Sequence, residues 1–337
     1  MRKTILLLIA FVAALSGSKA AESTDTVKIA YDGNVATVTI PASLSGSVKN
    51  MNGTSSYVDL TQSSTGTEIV YSLSGATTDG GFTLTGTYKT TVCLNGVTIT
   101  STKGAALNIQ NGKRIKIKMV EGTENTLTDS SKGTQKGCLV VKGHTEFRGK
   151  GTLNVFGNTA HAIKSGEYIS IKNCTINVKA AEKDGFSCNE YFCMESGNIH
   201  ISGVEDDGIQ VEVDSDIKTT GTTDEHEDEN SGNFYAEAPA DTAEDAIVGT
   251  ITISDDNDGK AIKVDGKVVL GKHFTYHFDT SDIKEGTPDH IATAATAQAG
   301  TTSIYHLDGR QVSSSSHPRK GIVITRNGKQ TKKIMTF

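Results

Sequence analysis

The sequence has no tryptophan and only four prolines among its 337 residues. Without tryptophan, we expect no wide aromatic platform of the kind that binds cellulose. The five cysteines are an odd number and include no Cys-x-x-Cys pair, which argues against a zinc or dithiol motif. They are interpreted as buried thiols, although one disulfide among them is an alternative. No segment after residue 20 has helical apolar spacing over three turns, so we predict a nearly all-β chain.

Positive charge is also scarce, because 33 Lys and Arg face 39 Asp and Glu, a formal net charge of −6. Loss of residues 1–20 would remove three basic residues and bring the charge to −9. We therefore expect no nucleic-acid partner, since an acidic protein is not attracted to phosphate backbones. The sequence also lacks the G-x-S-x-G, H-E-x-x-H and phosphate-loop motifs. No carboxylate pair stands out as catalytic.

Residues 1–20 are predicted to be a secretion signal. Arg2 and Lys3 precede an apolar run over 5–15, and residues 18–20 form a small-x-small cleavage site. The apolar run is too short to cross a bilayer, and no later segment is predicted to span one. We therefore expect a secreted or cell-surface protein, and a monomer.

The sequence is rich in what short strands and tight turns need, including 35 glycines. Related segments recur at an offset of 23 residues, and apolar and polar residues alternate within each unit. Such units cannot bury an apolar face alone but can do so when stacked. The predicted fold is all-β, a right-handed parallel β-helix (solenoid) with a small C-terminal β module. The successive units begin at His161-Ala162-Ile163, Asp184-Gly185-Phe186 and Asp207-Gly208-Ile209.

The repeat divides the chain. Residues 21–90 are predicted to form N-terminal strands, a cap and the first irregular coils, with strands over 35–40, 68–73, 82–85 and 91–94. Residues 91–280 form the β-helix, which is interrupted at 212–247 by an acidic insertion. That insertion is interpreted as a solvated or a cation-binding loop. Residues 281–300 are predicted to be a linker, and 301–337 a module of two hairpins with turns at Asp308-Gly309 and Asn327-Gly328.

A 23-residue period places equivalent residues of adjacent coils above one another. One such column contains Gly137, His161, Asp184, Asp207 and Lys260, with further acids beside it. Stacked carboxylates repel one another unless a cation lies between them, and hard oxygen ligands at a turn suit Ca²⁺. The alternative is that Asp-Gly is simply a favourable turn dipeptide. The predicted calcium ligands are Asp184, Asp206, Asp207, Asp256, Asp258 and Glu212.

The next outward column contains Lys164, Ser187, Gln210 and Lys263. Lys164, Gln210 and Lys263 are predicted to bind an acidic sugar polymer, with calcium bridging the remaining carboxylates. Tyr168 and Tyr191 fall in one column and could offer rings to sugar, although aromatic ladders in a β-helix more often pack internally.

Several segments resemble a family of bacterial carbohydrate-binding domain proteins. They are Cys93-Leu94-Asn95-Gly96-Val97, Gly104-Ala105-Ala106-Leu107-Asn108-Ile109, residues 136–143, the Asp-Gly units at 184 and 207, and Lys260-Ala261-Ile262-Lys263. The resemblance implies a right-handed parallel β-helix, similar to calcium-dependent pectate lyases, that binds calcium and acidic plant polysaccharide such as polygalacturonate. It also implies that Asp184, Asp206, Asp207 and Asp258 ligate calcium. The sequence departs from the family pattern at His161, where Asp is more usual, and at the acidic insertion.

The C-terminal 37 residues resemble the sorting modules of Bacteroidetes secreted proteins, through Leu307-Asp308-Gly309-Arg310 and Asn327-Gly328-Lys329. Three functional hypotheses follow. The first is a non-catalytic protein that binds pectin-like polysaccharide with Ca²⁺. The second is a calcium-dependent lyase in which Lys263 or Lys164 is the base. The third is a structural surface adhesin.

Overall fold

The computed structural model describes residues 25–63, 66–213, 231–254 and 258–286, and three strands within 303–336. The predicted signal peptide, Asp256 and residues 214–230 of the acidic insertion lie outside the described residues. The chain divides into one unit up to Thr287 and a second from Pro288. The described residues include no helix with the length and apolar character needed to cross a membrane.

The first unit is a parallel β-helix, as the sequence predicted. Its strands alternate between buried and outward residues, as Thr152–Gly157 illustrates, so apolar side chains fill the interior and polar ones face outward. Thr175–Ala181 pairs in parallel with Gly197–Ile201, and Ile176 lies beside Ile199, one repeat later. Coils from residue 107 onward contribute one strand to each of three walls.

Wall 1 is a ten-stranded sheet. Its strands pair in parallel except for β3, which pairs antiparallel with β4 at the N-terminal end. In spatial order from that end they are β3 (Val48–Asn50), β4 (Tyr57–Gln62), β6 (Gly81–Gly86), β8 (Leu107–Ile109), β11 (Gly137–Val141), β14 (His161–Ser165), β17 (Phe186–Asn189), β20 (Ile209–Glu212), β23 (Ile262–Val264) and β26 (Ile283–Glu285).

Walls 2 and 3 form one continuous sheet, because the long strand β7 (Thr90–Thr100) pairs with a strand of each. Beyond β7, wall 2 contains β9 (Ile115–Met119), β12 (Thr145–Gly149), β15 (Ile169–Ile171), β18 (Tyr191–Met194), β21 (Asn233–Ala236) and β24 (Val268–Leu270). Wall 3 contains β10 (Glu124–Thr128), β13 (Thr152–Gly157), β16 (Thr175–Ala181), β19 (Gly197–Ile201), β22 (Gly249–Ile253) and β25 (Phe274–His277).

Three of the four predicted N-terminal strands are longer than the alternation predicted, and the strand predicted at 35–40 ends one residue earlier. β1 (Thr26–Asp32) pairs antiparallel with β2 (Val35–Thr39) and in parallel with β5 (Ile69–Thr77). β5 in turn stacks in parallel on β7. Parallel stacking therefore begins well before residue 91. The hairpin between β1 and β2 turns at Gly33, whose φ of +60° favours glycine.

The structure differs from prediction at two boundaries. Part of the predicted insertion is a regular strand, β21, in which Phe234 and Ala236 are buried and Asn233 and Tyr235 face outward. Its alternation is short and follows a long acidic run, which hides it in the sequence. The described part of the chain contains two short 3₁₀ helices, at Ala42–Leu44 and Thr280–Asp282. β26 follows the second and pairs with β23, so the coil stack extends into the predicted linker.

The core is apolar and contains a stack of phenylalanines. Phe192 lies parallel to Phe234 at 5.2 Å between ring centroids and edge-on to Phe186 at 5.5 Å. No disulfide joins the cysteines; Cys138, Cys174, Cys188 and Cys193 are buried and Cys93 is half-buried. Burial raises the pKa of the Cys188 thiol to about 12.

The second unit is a three-stranded antiparallel sheet. Its strands are β27 (Ser303–His306), β28 (Gly321–Asn327) and β29 (Gln330–Thr336). Asn327 pairs with Gln330, so β28 and β29 form a hairpin at the predicted Asn-Gly position. The turn predicted at Asp308-Gly309 lies outside the described residues, and β27 pairs with β28.

Candidate functional site

The predicted polar column lies on the outer face of wall 1. Lys164 is beside Ser187, Ser187 is beside Gln210, and Gln210 is beside Lys263. These residues follow β-branched and aromatic residues that point inward, which fixes their outward direction. The register therefore brings together three side chains that the sequence predicted to bind sugar.

A corner of carboxylates borders this column. Asp184 and Asp207 are 1 % and 2 % exposed, whereas Asp206 is exposed. One oxygen from each of the three carboxylates lies within 4.8 Å of the others. The backbone N–H of Asp207 donates to Asp184 Oδ1 over 3.2 Å, and that of Lys260 donates to Asp207 Oδ1 over 2.8 Å. Each buried carboxylate therefore holds the first residue of the next coil.

Lys263 brings a positive charge into this corner. Its Nζ lies 2.7 Å from Asp207 Oδ2, and this hydrogen bond raises the pKa of Lys263. In the amide orientation that satisfies both neighbours, Gln210 donates to Asp184 Oδ2 over 2.7 Å and accepts from Lys263 Nζ over 3.2 Å. Gln210 and Lys263 thus belong to one network with two of the predicted metal ligands.

The corner keeps an excess of negative charge. Desolvation together with the charges of Asp207 and Asp184 raises the pKa of Asp206, even though Lys263 and Lys183 oppose this shift. Carboxylates have more lone pairs than the present donors use, so oxygen ligands remain for a hard cation. The residues therefore fit Ca²⁺ as a partial ligand set that solvent or a bound acid must complete.

Lys164 is in a different environment from Lys263. Its side chain is 13 % exposed and its Nζ donates to Ser187 Oγ over 3.0 Å and to Asn189 Oδ1 over 3.4 Å. Glu212 lies 3.9 Å away. Burial lowers the pKa of Lys164, since desolvation disfavours its charged form. Of the two lysines proposed as a base, only Lys164 therefore has a pKa shifted in the direction that proton abstraction needs.

The remaining predicted site residues do not belong to the three-carboxylate cluster. Asp258 is exposed and is not a member of the three-carboxylate cluster. Glu212 lies beside Asn189 at the far end of β20, near Lys164. Tyr168 and Tyr191 stack at 4.8 Å but are buried, and His144 covers the other face of Tyr168. This packing leaves little ring surface for a sugar.

The contacts of two neighbours of the site do not follow from the sequence. His161 stands out there only as a column member that departs from the family pattern, yet its Nδ1 lies 3.0 Å from Asp184 Oδ2. Lys260 was assigned only to the column, yet its Nζ pairs with Asp282 at 2.7 Å. The column could have identified His161 as a neighbour of Asp184. Asp282 could not be identified in this way, because it falls in a segment that was predicted to be a linker.

A model of the family described as carbohydrate-binding domain-containing proteins matches residues 54–266, which is more than half of the chain and includes the whole corner. The chain belongs to this family. The predicted resemblance to carbohydrate-binding domain proteins is thus confirmed at the level of the family.

Individual relatives are distant. A carbohydrate-binding domain-containing protein of Acetivibrio thermocellus is 27% identical over 121 residues, which cover 33% of this chain and 42% of the relative. The chain therefore matches less than half of that relative's length. A solved structure, the gadolinium derivative of a polysaccharide lyase-like protein from C. thermocellum, is 21% identical with a TM-score of 0.49, and covers 77% of this chain and 99% of that chain.

Proposed function

We propose that this protein is a secreted, monomeric and non-catalytic binder of acidic plant cell-wall polysaccharide of the polygalacturonate or pectin type, assisted by Ca²⁺. The observation that carries the proposal is the register on wall 1. It places Lys164, Ser187, Gln210 and Lys263 in one outward row beside the Asp184, Asp206 and Asp207 carboxylates.

The row has the dimensions and chemistry for an extended polymer. Adjacent strands lie about 4.8 Å apart, so Lys164 and Lys263, three steps apart, span roughly 14 Å. Lysine ammonium groups bind sugar carboxylates and Gln210 offers hydrogen bonds to hydroxyl groups, while the buried Ser187 accepts a hydrogen bond from Lys164 Nζ and so helps to position that lysine. A charged polymer lying along the stack would contact successive coils.

Calcium resolves the conflict between an acidic protein and an acidic ligand. Asp206 is the exposed member of the corner, and desolvation followed by the charges of Asp207 and Asp184 raises its pKa. Ca²⁺ takes six to eight oxygens, more than this corner has available while Lys263 occupies Asp207. Uronate carboxylates and water would supply the others, so the ion would bind protein and polysaccharide together.

Binding of polygalacturonate, measured by calorimetry with Ca²⁺ and again with EDTA, tests the proposal. We expect binding with Ca²⁺ that is lost with EDTA, and that weakens in Asp206→Asn and Lys164→Gln. Glu205→Gln is the control for the carboxylate, since Glu205 is an exposed neighbour outside the cluster. Lys118→Gln on wall 2 is the control for the lysine.

Three results would count against the proposal. Binding that persists unchanged in EDTA would remove calcium from it. If Asp206→Asn and Lys164→Gln both bind the polysaccharide as tightly as the wild type does, the glycan binds away from wall 1. A protein that binds no glycan on an array, with or without Ca²⁺, would favour the structural adhesin.

A second candidate, a calcium-dependent polysaccharide lyase, is favoured by one observation. Burial lowers the pKa of Lys164, as a lysine base requires. A lyase would release unsaturated uronates from polygalacturonate, which are detected by their ultraviolet absorbance. Product formation that is lost in Lys164→Gln would support this candidate. If no product forms with Ca²⁺ present, the non-catalytic binding function is favoured.

A further inference from the structure

A second cluster of ligand-type side chains lies on wall 2, away from the aspartate corner. His144 directly precedes β12, and Glu167 and Glu190 each precede a tyrosine at the start of the next two coils. The two Glu-Tyr pairs are 23 residues apart, so the coil stack aligns them. The tyrosines, Tyr168 and Tyr191, are the stacked pair described above.

The three side chains converge on one point. His144 Nε2 lies 2.8 Å from Glu167 Oε2 and 3.5 Å from Glu190 Oε2. One ligand atom from each residue lies within 4.8 Å of the others. The imidazole is held in place by its stack on Tyr168, with 4.2 Å between ring centroids and 15° between ring planes.

Glu190 is the residue that an ion pair alone does not explain. It is 5 % exposed, and among the described residues its Oε2 has no hydrogen-bond partner. His144 Nε2 carries at most one proton and lies closer to Glu167 than to Glu190. A buried carboxylate oxygen left without a donor is costly, and a cation at this point would satisfy it.

We propose that His144, Glu167 and Glu190 form a binding site for a divalent transition-metal ion of the Zn²⁺ type. Zn²⁺ binds imidazole nitrogen and carboxylate oxygen at about 2.0–2.2 Å in tetrahedral geometry, which separates its ligands by roughly 3.3 Å. The observed separations of 2.8 and 3.5 Å lie on either side of that value. Three protein ligands leave a fourth position for water.

The site differs in chemistry from the aspartate corner. Imidazole suits zinc and neighbouring transition metals, whereas Ca²⁺ takes oxygen ligands only. Without metal, the hydrogen bond to Glu167 and the negative charges of Glu167 and Glu190 raise the pKa of His144 to about 9 despite its burial. The ion would therefore take the place of the imidazolium proton between the same two carboxylates.

Calorimetric titration of the EDTA-treated, dialysed full chain with Zn²⁺, and visible spectra with Co²⁺, test the site. We expect a single ion whose affinity falls at least about 10-fold in His144→Ala and Glu190→Gln, since loss of even an outer-shell partner costs about 10–100-fold. His200→Ala is the matched control, because His200 lies on β19 of wall 3. Glu205→Gln, at an exposed carboxylate outside both clusters, should also leave the affinity unchanged.

Circular dichroism of each metal-free variant shows whether it is folded. Should His144→Ala fail to fold, Glu167→Gln takes its place, because Glu167 is 28 % exposed and its removal disturbs less packing. The proposal is overturned if the wild-type chain binds no Zn²⁺, or if every folded variant binds it as the wild type does.

Discussion

Replacing Lys263 by methionine tests whether its ammonium group neutralises the aspartate corner. The change keeps most of the side-chain volume but removes the charge. Asp207 is 2 % exposed, and Lys263 Nζ lies 2.7 Å from its Oδ2. In Lys263→Met that oxygen loses its charged partner, while Oδ1 keeps the N–H of Lys260. We therefore expect the β-helix to be destabilised.

The size of the effect follows from the exposure of the two partners. Removing one member of a fully buried ion pair costs about 3–5 kcal/mol, because a buried charge is left behind. Lys263 is 35 % exposed, so water screens the pair and can enter when the ammonium group is gone. We expect a loss of about 1–3 kcal/mol in the free energy of unfolding.

Urea unfolding in EDTA, followed by circular dichroism, measures this loss. The control is Lys116→Met, whose Nζ lies 3.9 Å from Glu68 in a pair that is about one-third exposed on both sides. It should cost less than about 1 kcal/mol. The double variant Lys263→Met/Asp207→Asn should regain part of the loss. Added Ca²⁺ should stabilise Lys263→Met more than wild type, because a competing cation is gone.

A small effect of Lys263→Met would contradict this role of the ammonium group. If Lys263→Met unfolds within about 0.5 kcal/mol of wild type, a difference typical of neutral surface changes, the backbone N–H alone satisfies Asp207. The ammonium group would then have no part in holding the corner together.

Three further predictions concern the interior and wall 2. In EDTA, the pKa of His144 is raised from 6.5 to about 9, so protonated His144 stabilises the folded state. Its contribution to the free energy of unfolding, about 1–2 kcal/mol after allowing for partial exposure, is complete below pH 6.5 and is lost as the pH rises through 9. In pH-dependent unfolding, His144→Gln should lack this loss. Phe192→Ala should cost about 3–5 kcal/mol in urea unfolding, because it opens a cavity between stacked rings. Cys188, with its thiol pKa raised to about 12, should resist labelling by a thiol reagent until urea unfolds the chain.

Each of these predictions has a result that would contradict it. If the stability of His144→Gln falls with rising pH as that of the wild type does, groups other than His144 cause the fall. For Phe192→Ala the control is Val35→Ala, at an exposed position, which should change the free energy of unfolding by less than about 0.5 kcal/mol. If Phe192→Ala changes it no more than Val35→Ala does, the rings around Phe192 are not tightly packed. Rapid labelling of Cys188 in the folded protein would mean that its wall opens locally.

The repeat predicted the fold and the register because both depend on periodicity. Once residues 163, 186 and 209 are aligned, the positions of Lys164, Ser187 and Gln210 on one face follow from the strand geometry. One strand, β21, was not predicted, because periodicity identifies only strands with a clear alternation. β21 is only four residues long and follows an acidic run, so its alternation carries too little signal.

Side-chain partners could not be predicted from the register. Alignment placed Asp184 and Asp207 in one column, but it could not tell whether their oxygens face solvent or the next coil's backbone N–H. Likewise, Lys164 and Lys263 share a column but differ in pKa shift, because one is buried and the other pairs with a carboxylate. Such differences depend on rotamers and neighbours, which a repeat does not encode.

Stacking itself explains why cation sites should arise at these two places. A parallel coil stack repeats each outward position about every 4.8 Å, so a column that gains acidic residues must neutralise them or repel itself. Asp184 and Asp207 are neutralised by backbone N–H groups and Lys263, and Glu167 by His144. Glu190 is the member for which this falls short, because it is buried and its Oε2 has no hydrogen-bond partner among the described residues. Beside an imidazole it suits a transition metal, whereas the exposed Asp206 suits an oxygen-preferring ion shared with a ligand.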